Sequence, residues 1–230
     1  MAIAEKPGEV PVTDVRELAE LVGYLQVTTE AEKAALAKEL HDELGGLITA
    51  AKMDMAWLIA HLGETLDAAS QEKVRSVVQM LNQAMTLKRR VVESLRPSLL
   101  DHFGLPVALR SHFEEHCAKA GLEYVATLPE ETLDLAPAVQ LALFRVAQEA
   151  LASVLTRGKA RHVELVIEAD DDGYLMLIGD DGGGDDGELS QALLAMRHRV
   201  QGAGGRFEIQ RAGGQGHRIS VFVPRTRSAG

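Results

Sequence analysis

The chain has 230 residues, 46% hydrophobic and 25% charged, enough to bury one large core or two modest ones. Its 34 acidic and 24 basic residues give a net charge of -10, and the basic residues form no long run, which argues against nucleic acid and anionic membranes and for protein partners. No stretch reaches about 18 consecutive apolar residues, and the start "MAIAEKPGEVPVTD" lacks the basic and apolar regions of a signal peptide, so a cytoplasmic chain with no membrane contact is expected.

Val15, Leu18, Leu21, Val22 and Leu25 recur at helical spacing and predict a short helix within an N-terminal segment, residues 1–27. Thr29 with Glu32 three positions on is a capping-box signature, so a second helix is expected from about 30 to 62. Its apolar residues Leu36, Leu40, Leu44, Leu47, Ala51, Met55, Leu58 and Leu62 step by three or four, a seam that packs against partner helices. A further run from about 70 to 96 carries Val74, Val78, Leu81, Met85, Lys88, Val92 and Leu95 in the same rhythm and stops at Pro97. The two runs predict a helical hairpin over 28–100. The leftover apolar positions Ile48, Ile59, Val77 and Val91 ask for a second copy, and hence a dimeric four-helix bundle.

Residues 101–230 have a mixed texture. A helix is expected over 105–120, a strand at "LEYVATL", and a helix over 137–157 with Pro137 in its first turn. "RHVELVIEA" and "GYLMLIG" flank the turn "DDDG" as a hairpin; a helix near 188–201 and the strands "RFEIQR" and "HRISVFVP" follow. The fold class is therefore an all-helical half followed by an α/β sandwich.

The residues that can carry chemistry begin with His41 and Asp42 in "ELHDELGG". His41 stands one position past the seam residue Leu40, at the edge of the bundle. A neighbouring carboxylate could fix the imidazole tautomer and leave the other ring nitrogen as a nucleophile; a solvated histidine on a charged helix face is the plainer reading of the same pair. Gly45 and Gly46 would clear space beside it for a docking partner. Cys117 stands alone and no Cys/His cluster has zinc spacing, so any metal would be held by oxygen. The other histidines (His61, His102, His112, His116, His162, His198 and His217) read as surface residues, and Trp57 as bundle packing.

"ALAKELHDELGGLITAAKMDMAWL" resembles the phosphoacceptor helix of the two-component histidine kinases of the nitrate-sensor and desaturase-sensor branch. "LRPSLLDHFGLPVAL" is similar to that branch's link into its ATP-binding domain, "LFRVAQEALASVLTRGKARHVELVIE" to its N-box region, "IGDDGGG" to its D-D-G-x-G box, and "LLAMRHRVQGAGGRFEIQRAGGQGHRISVFVP" to the end of that domain. The five motifs keep their order over residues 31–225. The resemblance implies that His41 is the phosphorylated residue and Asp42 its orienting or proton-accepting neighbour. It also implies a homodimer, a response-regulator receiver domain as partner, an upstream phosphodonor, and an ATPase-type sandwich in which Asp180 reads the adenine amino group beside Gly182 and Gly184.

The departures from that pattern gather where phosphate is handled. Glu149 is retained, but Ser153 stands where the branch has the asparagine that helps hold magnesium, and Arg157-Gly158 replace its His-Ala. Ala192 and Ala195 occupy positions of the glycines that cradle phosphate, and Asp185 and Asp186 add negative charge. Gly46 stands where the branch carries the side chain that orients the dephosphorylating water. These departures predict a degenerate ATP-binding domain with no metal and no cofactor. The expected function is a histidine phosphotransfer protein that passes phosphoryl groups between His41 and a receiver aspartate, with little use of ATP and little phosphatase activity. An active soluble kinase that autophosphorylates His41 is the alternative, and a non-catalytic receiver-binding scaffold a second one.

Overall fold

The computed structural model describes residues 12–183, 189–211 and 216–225, and divides into two compact units, Val27–Ser98 and Met1–Gln26 with Leu99–Gly230. Helix α1 runs over Val12–Glu39 without a break, so the capping box at Thr29 goes unused and no separate N-terminal helix forms. Between residues 12 and 44 there is no proline and one glycine, Gly23. The threonine pair lowers helix propensity by only a few tenths of a kcal/mol per residue, whereas a break would leave up to four amide donors to satisfy.

A π-helical turn, Leu40–Leu44, follows α1 and leads into α2, Gly45–Leu62. After a short loop the chain returns as α3, Ala68–Leu95. The Asp67 carboxylate caps α3 by accepting from the Ser70 amide at 2.9 Å, and Gln71 Nε2 donates to the Gly63 carbonyl at 2.8 Å, which ties the loop to the first turn of the helix. The Arg96–Pro97 step ends the hairpin as expected. Little is buried in it. In α2 only Gly45 and Ile48 are buried, and in α3 nothing is. Ile48 therefore packs inside the hairpin, not on the face left for a second copy. Trp57 stacks on His61 with ring centroids 4.3 Å apart and stays 57% exposed, so it is not a packing residue of this hairpin.

The other unit is a two-layer α/β sandwich. Helix α4, Ser98–Ala120, is interrupted at Gly104, whose φ of 78° is open to glycine at no steric cost. The Leu105 amide just beyond it donates to Gln140 Oε1 at 3.1 Å, so the helix restarts with a side-chain cap and Pro106 in its first turn. The sheet holds β1 (Glu123–Thr127), β2 (His162–Ala169), β3 (Gly173–Asp180), β4 (Arg206–Arg211) and β5 (His217–Pro224) in the order β1-β2-β3-β5-β4. Only β1 and β2 are parallel, and α5, Pro137–Arg157, makes the crossover that such a pair requires. Helix α6, Leu189–Gly202, enters β4. One sheet face alternates inward: Val163, Leu165 and Ile167 from β2 and Ile219, Val221 and Val223 from β5 meet Leu105, Leu109 and Phe113 of α4 and Leu151 of α5 in one core. Among the described helices α5 is the one long and apolar enough to cross a membrane by length and composition; here it is a core helix, with eight of its residues buried.

Candidate functional site

The phosphoacceptor candidate lies on the π-helical turn. Such turns are rare and recur at functional sites. His41 and Asp42 are both exposed on it, and the Gly45 amide closes the turn on the Asp42 carbonyl. Across the hairpin, Lys88 of α3 brings its ammonium to the His41 carbonyl oxygen at 3.5 Å. Gly45 is what admits it, because a Cβ there would stand 2.7 Å from Lys88 Nζ. The glycine expected to clear space for a docking partner is thus filled from within by a lysine whose helical spacing had placed it in an apolar seam. Gly46 faces open space, with nothing within 4 Å of a Cβ built on it.

The second candidate site gathers at one end of the sandwich, where α5 and β3 end and β5 begins. Asp180, the last residue of β3, has both carboxylate oxygens engaged: Oδ1 accepts from the Gly182 amide at 2.9 Å and Oδ2 from Arg157 Nη2 at 2.9 Å. Arg157 also donates through Nη1 to His217 Nδ1 and through Nε to the Ser153 carbonyl at 3.3 Å. The Arg157 and Asp180 side chains are only 11% and 4% exposed. Gly182 is required by space, since a Cβ would come within 2.7 Å of the Ala160 amide nitrogen. Gly216, with a φ of 98°, lies so close that a Cβ would sit 1.9 Å from the Asp180 carbonyl oxygen. Gly184, Asp185 and Asp186 lie outside the described residues.

Ala150, Ser153, Val154, Arg157, Ile178, Asp180, Ile209, His217 and Ile219 enclose a cavity of about 10 Å³. That is room for about one water molecule. The magnesium position fares no better. Burial, opposed by the Arg199 charge, raises the Glu149 pKa; Ser153 offers a neutral hydroxyl; and no three His, Cys, Asp or Glu side chains among the described residues are placed to share a metal. The described residues at this position do not fit a metal held by the protein alone.

Of the histidines expected on the surface, His217 is buried and His112 is partly buried. His217 is 6% exposed and bonded to Arg157, and His112 is packed edge-on to Phe113 and Phe144. Burial, with the neighbouring His116, lowers the His112 pKa to about 4. His162 is exposed as expected, yet it is held between two carboxylates, Asp181 at 2.9 Å from Nδ1 and Glu123 at 2.6 Å from Nε2. Its pKa is raised, first by the Asp181 hydrogen bond, while the Arg161 and His162 amides help to hold Asp181 well below the usual carboxylate range. His162 and Asp181 rim a cleft of about 270 Å³ that also takes in Glu164, Asp180, His217 and Arg218.

Comparison with known proteins finds likeness first in the hairpin segment. Residues 32–100 match the histidine kinase family model of the HisKA_3 type. The signal transduction histidine-protein kinase/phosphatase UhpB of Salmonella typhimurium is 31% identical over 212 residues, 89% of this chain and 41% of that protein. The kinase/phosphatase DegS of Brevibacillus brevis is 29% identical over 210 residues, 86% of this chain and 52% of that one. The nitrate/nitrite sensor protein NarX of Escherichia coli is 27% identical over 208 residues, 86% of this chain and 34% of that one. The chain spans about half the length, or less, of these relatives. Among solved structures, the histidine kinase domain from Erythrobacter litoralis EL346 covers 75% of this chain and 95% of its own at 18% identity, with a TM-score of 0.48.

These matches show that residues 32–100 carry a histidine kinase segment and that the chain is similar to the histidine kinases of subfamily 3. They also overturn the expectation of a relay protein that neither uses ATP nor removes phosphate. Relatives aligned over more than four fifths of the chain, across both units, are named as kinases and kinase/phosphatases. The departures at Ser153, Ala192, Ala195 and Gly46, taken together as the ground for the relay reading, are outweighed by similarity over more than four fifths of the chain.

Proposed function

We propose that this chain is a histidine autokinase, which transfers the terminal phosphoryl group of ATP to His41 and from there to the aspartate of a response-regulator receiver domain. The observation that carries the reading is an exposed histidine on a π-helical turn within the segment that matches the histidine kinase model. A ring nitrogen of His41 attacks the terminal phosphorus; the N–P bond forms as the bond to the bridging oxygen breaks, and ADP leaves with that electron pair. Asp42, next in the chain, is the group to orient the imidazole and take the proton from its other nitrogen. The Lys88 ammonium, held at the His41 carbonyl, supplies positive charge beside the phosphorylated residue. In the sheet unit Asp180 is the acceptor for the adenine amino group.

The bundle reading belongs to the same proposal. Leu47, Met53, Trp57, Ile59 and Met80 are all at least 47% exposed in the hairpin, and a second copy covering them completes a four-helix bundle. The test is incubation of the full chain with radiolabelled ATP and magnesium. Acid-labile, base-stable label is expected on the wild type and none on His41→Gln; label that persists in His41→Gln, or an unlabelled wild type, would refute the assignment.

A further inference from the structure

Three side-chain bonds of Arg157 converge at the end of the sandwich where Asp180 lies. Each ends on a different structural element. The Ser153 carbonyl belongs to the last turns of α5, Asp180 ends β3, and His217 opens β5. Arg157 is itself the last residue of α5, followed by Gly158 in the left-handed conformation at φ 63°, so its backbone is at a helix end and its long side chain has several rotatable bonds by which to leave this seat. The planar guanidinium suits a role that demands three acceptors at once; a lysine ammonium is a point charge without the fork.

The space left around this group decides what the site admits. A carboxylate has lone pairs to spare, so Asp180 could accept another hydrogen bond even with both oxygens in use. Volume is the obstacle. Among the described residues, the cavity of about 10 Å³ between α5, β3, β4 and β5 is far below the roughly 300 Å³ at which sites for drug-sized ligands begin, and the larger cleft that Asp180 and His217 also border leaves the Asp180 side chain only 4% exposed. Gly216 allows no retreat of the β5 entrance, because its backbone is already pressed on the Asp180 carbonyl. The apolar walls, Val154, Ile178, Ile209 and Ile219, lie on a helix and on paired strands. Arg157 is the lining group with the most torsional freedom, and it fills the centre.

We propose that Arg157 is a latch on the nucleotide site: seated on Asp180, His217 and the Ser153 carbonyl it occupies the place of the base, and a purine nucleotide enters only after the guanidinium swings out. This rests on the reading of the sheet unit as the ATP-binding unit. The latch lowers apparent affinity by the fraction of time it stands open, and removing it recovers that factor. Arginine at this position therefore sets nucleotide affinity without touching the phosphate being transferred.

The experiment is titration of the full chain with ATP and magnesium by calorimetry, alongside thermal unfolding. Arg157→Ala is expected to bind ATP at least about tenfold tighter than wild type, as removal of a mostly closed state requires, and Arg157→Lys to fall between the two. A folded Arg157→Ala chain with wild-type or weaker affinity would overturn the latch and identify the pair as structural only. Should Arg157→Ala fail to fold, the wild type carries the test: with 15N-labelled arginine, saturating ATP is expected to move the Arg157 Nε–H resonance to the position of a solvent-exposed arginine, and an unmoved resonance at saturation overturns the proposal. The two readings fail differently. Wild-type ATP binding with an unmoved Arg157 resonance removes the latch and leaves the kinase, whereas binding at least about tenfold tighter in Arg157→Ala, with no label on His41 in either chain at saturating ATP, keeps the latch and removes the kinase; absence of ATP binding in both chains removes both.

Discussion

The two units of this chain obtain their order by different means. The sandwich carries its own core: Leu105, Leu109, Phe113, Val146, Leu151, Leu165 and Val221 are all fully buried. The helical hairpin, at comparable apolar content, buries almost nothing in either of its long helices and leaves Leu47 70% and Met53 69% exposed. A helix pair has one shared seam, and once that seam is used the opposite stripe of each helix still faces water. The lesson is that self-sufficiency is a property of layers. A sheet covered by helices closes on itself, and a hairpin waits for something to cover it.

The contrast can be broken most forcefully in the core. Phe113→Ala should cost the sandwich about 3–5 kcal/mol, the range for emptying a packed aromatic site, measured by chemical denaturation. Leu47→Ala at low protein concentration should stay within about 0.5 kcal/mol, since an exposed side chain loses little. The second unit is more sensitive to association. Leu47→Asp combined with Ile59→Asp is expected to convert a dimer to a monomer in light scattering while the sheet unit keeps its unfolding midpoint; a double variant that stays dimeric would place the second copy elsewhere.

A smaller effect separates stability from chemistry within the hairpin. Gly45→Ala adds a Cβ against Lys88 Nζ, the far end of a flexible side chain, so the lysine moves and the helix does not. Helix propensity should then raise hairpin stability by up to about 1 kcal/mol. The label retained on His41 should fall about three- to tenfold, as expected for one displaced charge-assisted contact worth roughly 1 kcal/mol. Unchanged labelling would dissociate Lys88 from the phosphoryl group.

Acid should distinguish the units with the smallest signal. His112 binds its proton more weakly folded than unfolded, so its contribution is present above its ordinary value of 6.5 and is lost as pH falls toward about 4. His162 works in the opposite sense: its pKa is raised, so its contribution is present below 6.5 and is lost as pH rises through the folded value. The hairpin has the Asp67 cap, whose carboxylate is held down chiefly by Ser70, so this contribution persists above 3.8 and fades only below it. On acidification the sandwich should loosen before the hairpin. The single tryptophan, Trp57, reports the hairpin by fluorescence and near-ultraviolet tyrosine dichroism reports the sandwich. His112→Phe should flatten the sandwich's loss between pH 6.5 and 4.

Much of the architecture was legible in the residues because it rests on period and punctuation. The alternation in "RHVELVIEA" and "HRISVFVP", the Pro137 helix start and the Pro97 stop each express a local rule, and β2, β5, α5 and α3 obey them. What escaped was decided by neighbours far away in the chain. The capping box at Thr29 lost to a helix that had no reason to stop. His217 is ordinary by pattern and becomes a buried partner of Arg157 only because β5 begins beside the end of α5, sixty residues earlier. Lys88 falls on an apolar seam by spacing alone, and the missing side chain of Gly45 gives its ammonium a place there. The likeness to histidine kinases was legible through motif order, whereas the relay reading drawn from Ser153, Ala192 and Ala195 is overturned by relatives named as kinases and kinase/phosphatases.

The π-helical turn at Leu40–Leu44 has a geometric consequence for the helix that carries it. It adds a residue without adding a turn. An α-helix advances about 100° per residue, so the stripe of side chains before Leu40 and the stripe after Leu44 are out of phase by about that angle with an unbroken helix of the same sequence. Deleting one residue from this turn would restore the ordinary ladder and swing Leu36 about a quarter of a revolution around the axis relative to Ile48. The His41 imidazole sits where one continuous rod changes the direction in which it points its side chains.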